Sequence, residues 1–189
     1  MRAVTGITAS NFTSAYAGRQ IHHKGPPMSP QPLSLETIED FLAQKRIAMI
    51  GASRDPKSFS IMLFNEFSRR GYEIVPVNPK TPNVQGRTCY ARVQDIQPPV
   101  DTALLLTSPQ VTESALAECA KAGIRRIWIF AANGKSPLGQ KTLDSYQAQG
   151  IKIIAGQCPY MFLPGSGGIH GFHGFVRKIT GRYPRREAA

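Results

Sequence analysis

The chain has 189 residues, 41% of them hydrophobic, a formal net charge of +11 and three cysteines. That length suits one globular domain and is short for two. No apolar run approaches the roughly 18 residues of a membrane-spanning helix, and Cys89, Cys119 and Cys158 have neither CxxC spacing nor an obvious pairing partner.

The positive charge points to nucleic acid until it is located. Residues 1–32 hold Arg2, Arg19 and Lys24 and no acid, and residues 165–189 hold five basic residues against Glu187, so more than half of the excess lies at the two ends. The ends read as solvated basic tails, with contact to RNA, DNA or anionic lipid as the alternative. Residues 1–32, rich in Ser, Thr, Gly and Pro, read as a disordered leader that weakly mimics a transit peptide. No apolar core of a secretory signal is present there, and a reduced, cytoplasmic protein is the default expectation.

From Leu33 the pattern becomes regular. SLETIEDFLAQ starts at a capping serine, Ser34, and sets Leu35, Ile38, Phe41 and Leu42 on one helical face. RIAMI (46–50) is a buried strand, SFSIMLFNEFSRR (58–70) a helix closed by Gly71, and YEIVPV (72–77) a second strand. DTALLLT (101–107) is a strand, and PQVTESALAECAKA (109–122) a helix with Pro109 in its first turn. RRIWIF (125–130), PLGQKTLDSYQAQ (137–149) and IKIIAG (151–156) read as strand, helix and strand. Short, nearly continuous apolar strands alternating with helices predict an α/β fold. The sheet is expected to be doubly wound, Rossmann-like and mostly parallel, with helices on both faces.

In such sheets ligands sit beyond the carboxyl ends of the strands. Five segments fall there: GASRDP (51–56), NPKTPNVQG (78–86), TSPQ (107–110), AANGKSP (131–137) and GQCPYMF (156–162). None holds the combination of Asp, Glu and His that a general acid–base set needs. Gly51 removes a Cβ where a phosphate would approach the backbone, and the helix that follows aims its first amides and its positive dipole end into the same space. A dinucleotide site would carry G-x-G-x-x-G here and an acid at the end of the second strand. This chain has GASRDP, then Asn78 and Lys80 in place of the acid, and Lys80 suits a phosphate better than a ribose diol. The Walker pattern GxxxxGK[ST] is absent.

The segments IAMIGASRDP, GYEIVPVNPKTPNVQGRTCY, VDTALLLTSPQVTESALAECAKAGIRRIWIF and QGIKIIAGQCPYMF, in this order over about residues 44–162, resemble the CoA-binding-domain family. The chain is similar to the N-terminal domain of the succinyl-CoA synthetase alpha subunit, and more closely to stand-alone proteins of the family. The resemblance implies that Gly51, Ala52 and Ser53 face the CoA pyrophosphate. It further implies that Asn78, Pro79 and Lys80 contact the ligand after the second strand, that Thr107, Ser108 and Pro109 line the groove, and that Cys158 lies beside it. The synthetase's first loop is longer, so nothing is transferred to Arg54 or Ser58. Its phosphorylated histidine has no counterpart: His22, His23, His170 and His173 lie outside the matching segments.

The expectation is therefore a domain over residues 33–165 with a leader (1–32) and a basic tail (166–189), binding CoA or an acyl-CoA as a stand-alone, non-catalytic binding or regulatory protein. The alternatives are an NAD(P)-dependent oxidoreductase on the same fold, or a nucleic-acid-binding or scaffold module using the basic ends. No membrane partner and no metal is expected; a protein partner or homo-oligomer is left open. Cys158 could form a mixed disulfide with the CoA thiol. His170 and His173, three residues apart, lack a third ligand for a metal.

Overall fold

The computed structural model describes residues 33–163. The leader, the basic tail and all four histidines lie outside the described residues. Seven strands and four helices follow in chain order: α1 (Leu35–Ala43), β1 (Arg46–Ile50), α2 (Phe59–Arg69), β2 (Glu73–Val77), β3 (Asn83–Val84), β4 (Arg87–Thr88), β5 (Thr102–Leu105), α3 (Pro109–Lys121), β6 (Arg126–Ile129), α4 (Gln140–Gln147) and β7 (Lys152–Ala155).

Five strands form one sheet in the order β2-β1-β5-β6-β7, and every neighbouring pair is parallel. β3 and β4 make a separate antiparallel hairpin. Beyond β2 the chain returns as a single parallel bridge, Tyr90 against Val77. Tyr90 accepts from the Asn78 amide and donates to the Pro76 carbonyl. Counting that bridge as a shrunken outer strand, the spatial order is the Rossmann order, with its reversal between β1 and β5.

Both faces of the sheet are covered, which is why its strands read as continuous apolar runs. Ile47 and Met49 of β1, Leu104 of β5, Trp128 of β6 and Ile154 of β7 enter one core with Ile38 and Phe41 of α1 and Leu63, Phe64 and Phe67 of α2. Their neighbours Ala48, Ala103, Leu105, Ile127, Ile129 and Ile153 enter the opposite core with Ala115, Leu116 and Cys119 of α3 and Leu143 of α4. A one-residue slip in any strand would exchange the two sets.

The predicted elements are all present, with shifted ends. α4 begins at Gln140 rather than Pro137, because Ser136 and Leu138 are spent in a turn closed by a hydrogen bond from the Leu138 amide to Ser136 Oγ. The α1 stripe is narrower than expected: Ile38 and Phe41 are buried, while Leu35 and Leu42 are half-buried. The β3–β4 hairpin is an addition to the expected elements, since a two-residue ladder carries no alternation in the sequence. Among the described residues no helix is long and apolar enough to cross a membrane.

Candidate functional site

The two ends of the sheet differ in kind. At the amino ends several charges pair with one another. Asp40 accepts from Arg126 Nε at 3.0 Å and Lys152 Nζ at 2.8 Å, Arg126 also meets Asp101, and Arg46 pairs with Glu73 while holding the Pro98 carbonyl. Burial pulls the Asp40 carboxyl upward, but its hydrogen bonds from Lys152 and Arg126 and their positive charge outweigh this and hold it below its ordinary value. A cavity of about 580 Å³ between residues 44–46 and 99–101 lies here; Arg46 and Asp101 of its walls belong to this network, while Lys45 lies over the Tyr72 ring.

At the carboxyl ends the loops carry several cations. Among the described residues no carboxylate pairs with Arg54, Lys57, Lys80 or Lys135. Asp55, the one acid in these loops, is turned to its own chain and accepts from the Lys57 amide at 2.9 Å.

The GAS loop is built from inside. Gly51 has φ +87°, its amide donates to the Val77 carbonyl, and a Cβ there would lie 2.8 Å from the Leu106 carbonyl oxygen. The glycine expected for the sake of a phosphate is thus required first by the approach of β1 to the chain leaving β5. Ala52 is fully buried, so it offers a ligand no surface; its carbonyl accepts from Asn78 Nδ2 at 2.7 Å. Ser53 is half-buried; its Oγ accepts from the Asp55 amide at 3.0 Å and its own amide donates to Ser60 Oγ at 3.0 Å. Ser58 caps α2 by accepting from the Ile61 amide.

Asn78 braces this loop. Besides Ala52 it serves the Lys80 amide, which donates to Asn78 Oδ1 at 2.9 Å, so the side chain standing where a dinucleotide site wants an acid is engaged on both atoms. Pro79 and Lys80 are exposed beyond it. On the far side of the reversal Ser108 and Pro109 are exposed at the start of α3, and Thr107 shares a 2.9 Å hydroxyl contact with Thr112.

The loop after β6, placed on the ligand side by its position but assigned no residue from the sequence, forms the walls of a second cavity. It has about 400 Å³ between residues 106–109 and 130–137. Phe130 stacks on Phe59 of α2 with ring centroids 4.5 Å apart, and Tyr160 meets Phe59 edge-on. The loop after β7 packs behind: a Cβ on Gly156, φ +69°, would lie 2.7 Å from the Gly134 carbonyl oxygen. There the Gln157 carbonyl accepts from Trp128 Nε1 at 2.9 Å, while its side-chain oxygen is buried with no hydrogen bond. Nothing in the sequence distinguishes Gln157 from a surface glutamine.

Cys158 is half-buried beside these loops. Burial raises its thiol above the ordinary value, and hydrogen bonds from the Tyr160 and Met161 amides only partly offset this. Among the described residues no three His, Cys, Asp or Glu side chains are grouped to hold a metal.

Comparison with known families matches the CoA binding domain over residues 45–164, the whole sheet with all five carboxyl-end loops. The chain belongs to the CoA-binding-domain family. Among curated proteins it is similar to the alpha subunit of an ADP-forming acetate–CoA ligase II from Pyrococcus furiosus, 31% identical over 129 residues, covering 64% of this chain and 28% of that subunit. An ADP-forming acetate–CoA ligase from Methanocaldococcus jannaschii is 28% identical over 118 residues, covering 60% of this chain and 17% of the ligase. The chain therefore spans less than a third of the length of these relatives. Among solved structures a hypothetical protein from Pyrococcus horikoshii superposes with a TM-score of 0.60 at 27% identity, covering 70% of this chain and 94% of its own. A Thermus thermophilus protein shares the fold, with a TM-score of 0.59 at 22% identity over 67% of this chain and 93% of its own.

Proposed function

We propose that this CoA-binding-domain protein binds coenzyme A or an acyl-CoA across the carboxyl edge of its sheet, and that it holds the ligand rather than transforming it. The carrying observation is the state of Asn78 and Lys80. The position that would take a ribose diol is an amide consumed by the Ala52 carbonyl and the Lys80 amide, and the charge beyond it is an ammonium that no carboxylate pairs among the described residues. A polyanion fits that end; an NAD ribose does not.

The groove follows the strand order. Lys80 after β2, Ser53 after β1, Thr107 and Ser108 after β5, and the 131–137 loop after β6 stand in a row, with strands about 4.8 Å apart. In this reading the pyrophosphate lies over Ser53 and the first turn of α2, where helix amides have no partner within the helix. Lys80 neutralises phosphate charge, and Thr107, Ser108 and Pro109 guide the rest of the ligand. Cys158 lies behind the groove as a protonated thiol. In sequence the five carboxyl-end loops hold a single acid, Asp55, and no histidine, and a holding role in this reading rests on that. The binding unit is residues 33–165, independent of the two basic ends.

Thermal melts of the full chain with CoA, NAD, NADP and ATP test this. A ligand at about a hundred times its dissociation constant stabilises by roughly 2.7 kcal/mol. A shift with CoA, reduced about tenfold in affinity by Lys80→Ala, is expected. A shift with NAD or NADP alone overturns the reading.

A further inference from the structure

The row of ligand-side loops is not uniform. At the β1–β2 end its cations are Arg54, Lys57 and Lys80, all exposed and without a carboxylate partner among the described residues. At the β5–β6 end it meets the 400 Å³ cavity, whose walls set Leu106, Phe130 and Ala131 beside the polar Asn133, Lys135 and Ser136, with apolar surface predominating. Leu106 and Phe130 are only half-buried there, and the Phe59–Phe130 stack makes that wall stiff. An extended ligand that matches both ends carries phosphates at one and an apolar group at the other. Free CoA leaves the apolar cavity to its small thiol terminus. A dinucleotide puts a second polar heterocycle into it.

We infer that the cavity between residues 106–109 and 130–137 is an acyl subsite, so that the preferred ligand is the thioester of a short apolar acid rather than free CoA. This rests on the CoA reading above, with the phosphates at the Lys80 end. The carbon chain lies against Leu106, Phe130 and Ala131, and the cavity volume of about 400 Å³ limits its length. Nothing is transferred or cleaved: the gain comes from removing apolar surface from water, which is worth about three- to fourfold in affinity per buried methylene.

Calorimetric titration of the full chain with CoA, acetyl-CoA, butyryl-CoA, hexanoyl-CoA and succinyl-CoA at one ionic strength tests it. Affinity should rise from CoA to butyryl-CoA by at least about tenfold and then level off or fall once the cavity is full. Ala131→Leu and, separately, Ala132→Phe should cost the butyryl thioester more affinity than CoA. Three results overturn the inference while leaving CoA binding standing: a flat acyl series, succinyl-CoA bound more tightly than butyryl-CoA, or variants that weaken CoA and butyryl-CoA equally. Weaker binding of adenosine 3′,5′-bisphosphate to Ala131→Leu would place the nucleotide in the cavity and also overturn it. No binding of any CoA species overturns this inference together with the reading beneath it.

Discussion

Gly51 and Leu106 meet backbone to backbone across the reversal of the sheet. The Leu106 amide donates to the Ile50 carbonyl at 2.8 Å, and a Cβ on Gly51 would stand 2.8 Å from the Leu106 carbonyl oxygen. Neither side can retreat, because Gly51 also donates to Val77. Gly51→Ala therefore combines a left-handed backbone with a backbone clash and should cost about 3 kcal/mol. Gly71→Ala, at φ +79° with nothing within 4 Å of its Cβ, should cost only about 1 kcal/mol. Urea midpoints at unchanged slope read the difference. Equal losses at the two positions would remove the close approach as the reason for Gly51.

Gln157 carries a buried side-chain oxygen with no hydrogen bond, next to a backbone carbonyl held by Trp128. Such an acceptor costs about 1–3 kcal/mol until a donor arrives. Gln157→Met keeps the shape and removes the orphan, so the unliganded protein should gain about 1 kcal/mol. If an amide of the CoA arm is the missing donor, the same variant binds CoA at least about threefold more weakly. A loss of unliganded stability would mean the oxygen is already paired in solution.

The parallel sheet was legible because burial on both faces writes the same signal into every strand, and Gly71, Gly123 and Gly150 mark where helices end. The ligand side was legible for the same reason: once the strands are found, their carboxyl ends name the loops. What stayed hidden depends on pairs distant in sequence. Leu106 as the neighbour that demands Gly51, Asn78 as the brace of Ala52, and the Phe59–Phe130 stack are contacts with no local pattern. Ala52 read as a ligand contact because it sits inside the motif, yet the fold turns it into the core.

Asp40 ties α1 to β6 and β7 through Arg126 and Lys152, and its depressed carboxyl makes that tie pH-dependent. A carboxyl held below its unfolded value contributes stability that is complete above about pH 4 and is lost as pH falls through the lower folded value. Asp40→Asn should cost about 1–2 kcal/mol at pH 7, where the pairs are about a quarter exposed on the Asp40 side, and much less at pH 3. Urea midpoints at the two pH values measure it. A variant deficit that is the same at pH 3 as at pH 7 would sink the assignment.

Cys158 stands close enough to the ligand loops to raise the question of a mixed disulfide with CoA. Exchange needs a thiolate, and burial pushes this thiol up against the partial pull of the Tyr160 and Met161 amides. At pH 7 it should react with CoA disulfide at least about threefold more slowly than free cysteine does. The rate should climb only above the ordinary thiol range. Cys89 and Cys119 are better buried, the latter with its thiol pushed up to about 12, so neither supplies an alternative route. Intact-mass spectra of the wild type and Cys158→Ala across pH 6 to about 10 follow the adduct directly. Adduct formation at pH 7 that outruns free cysteine and vanishes in Cys158→Ala would show an activated thiol, and would turn the groove from a holding site into a redox-responsive one.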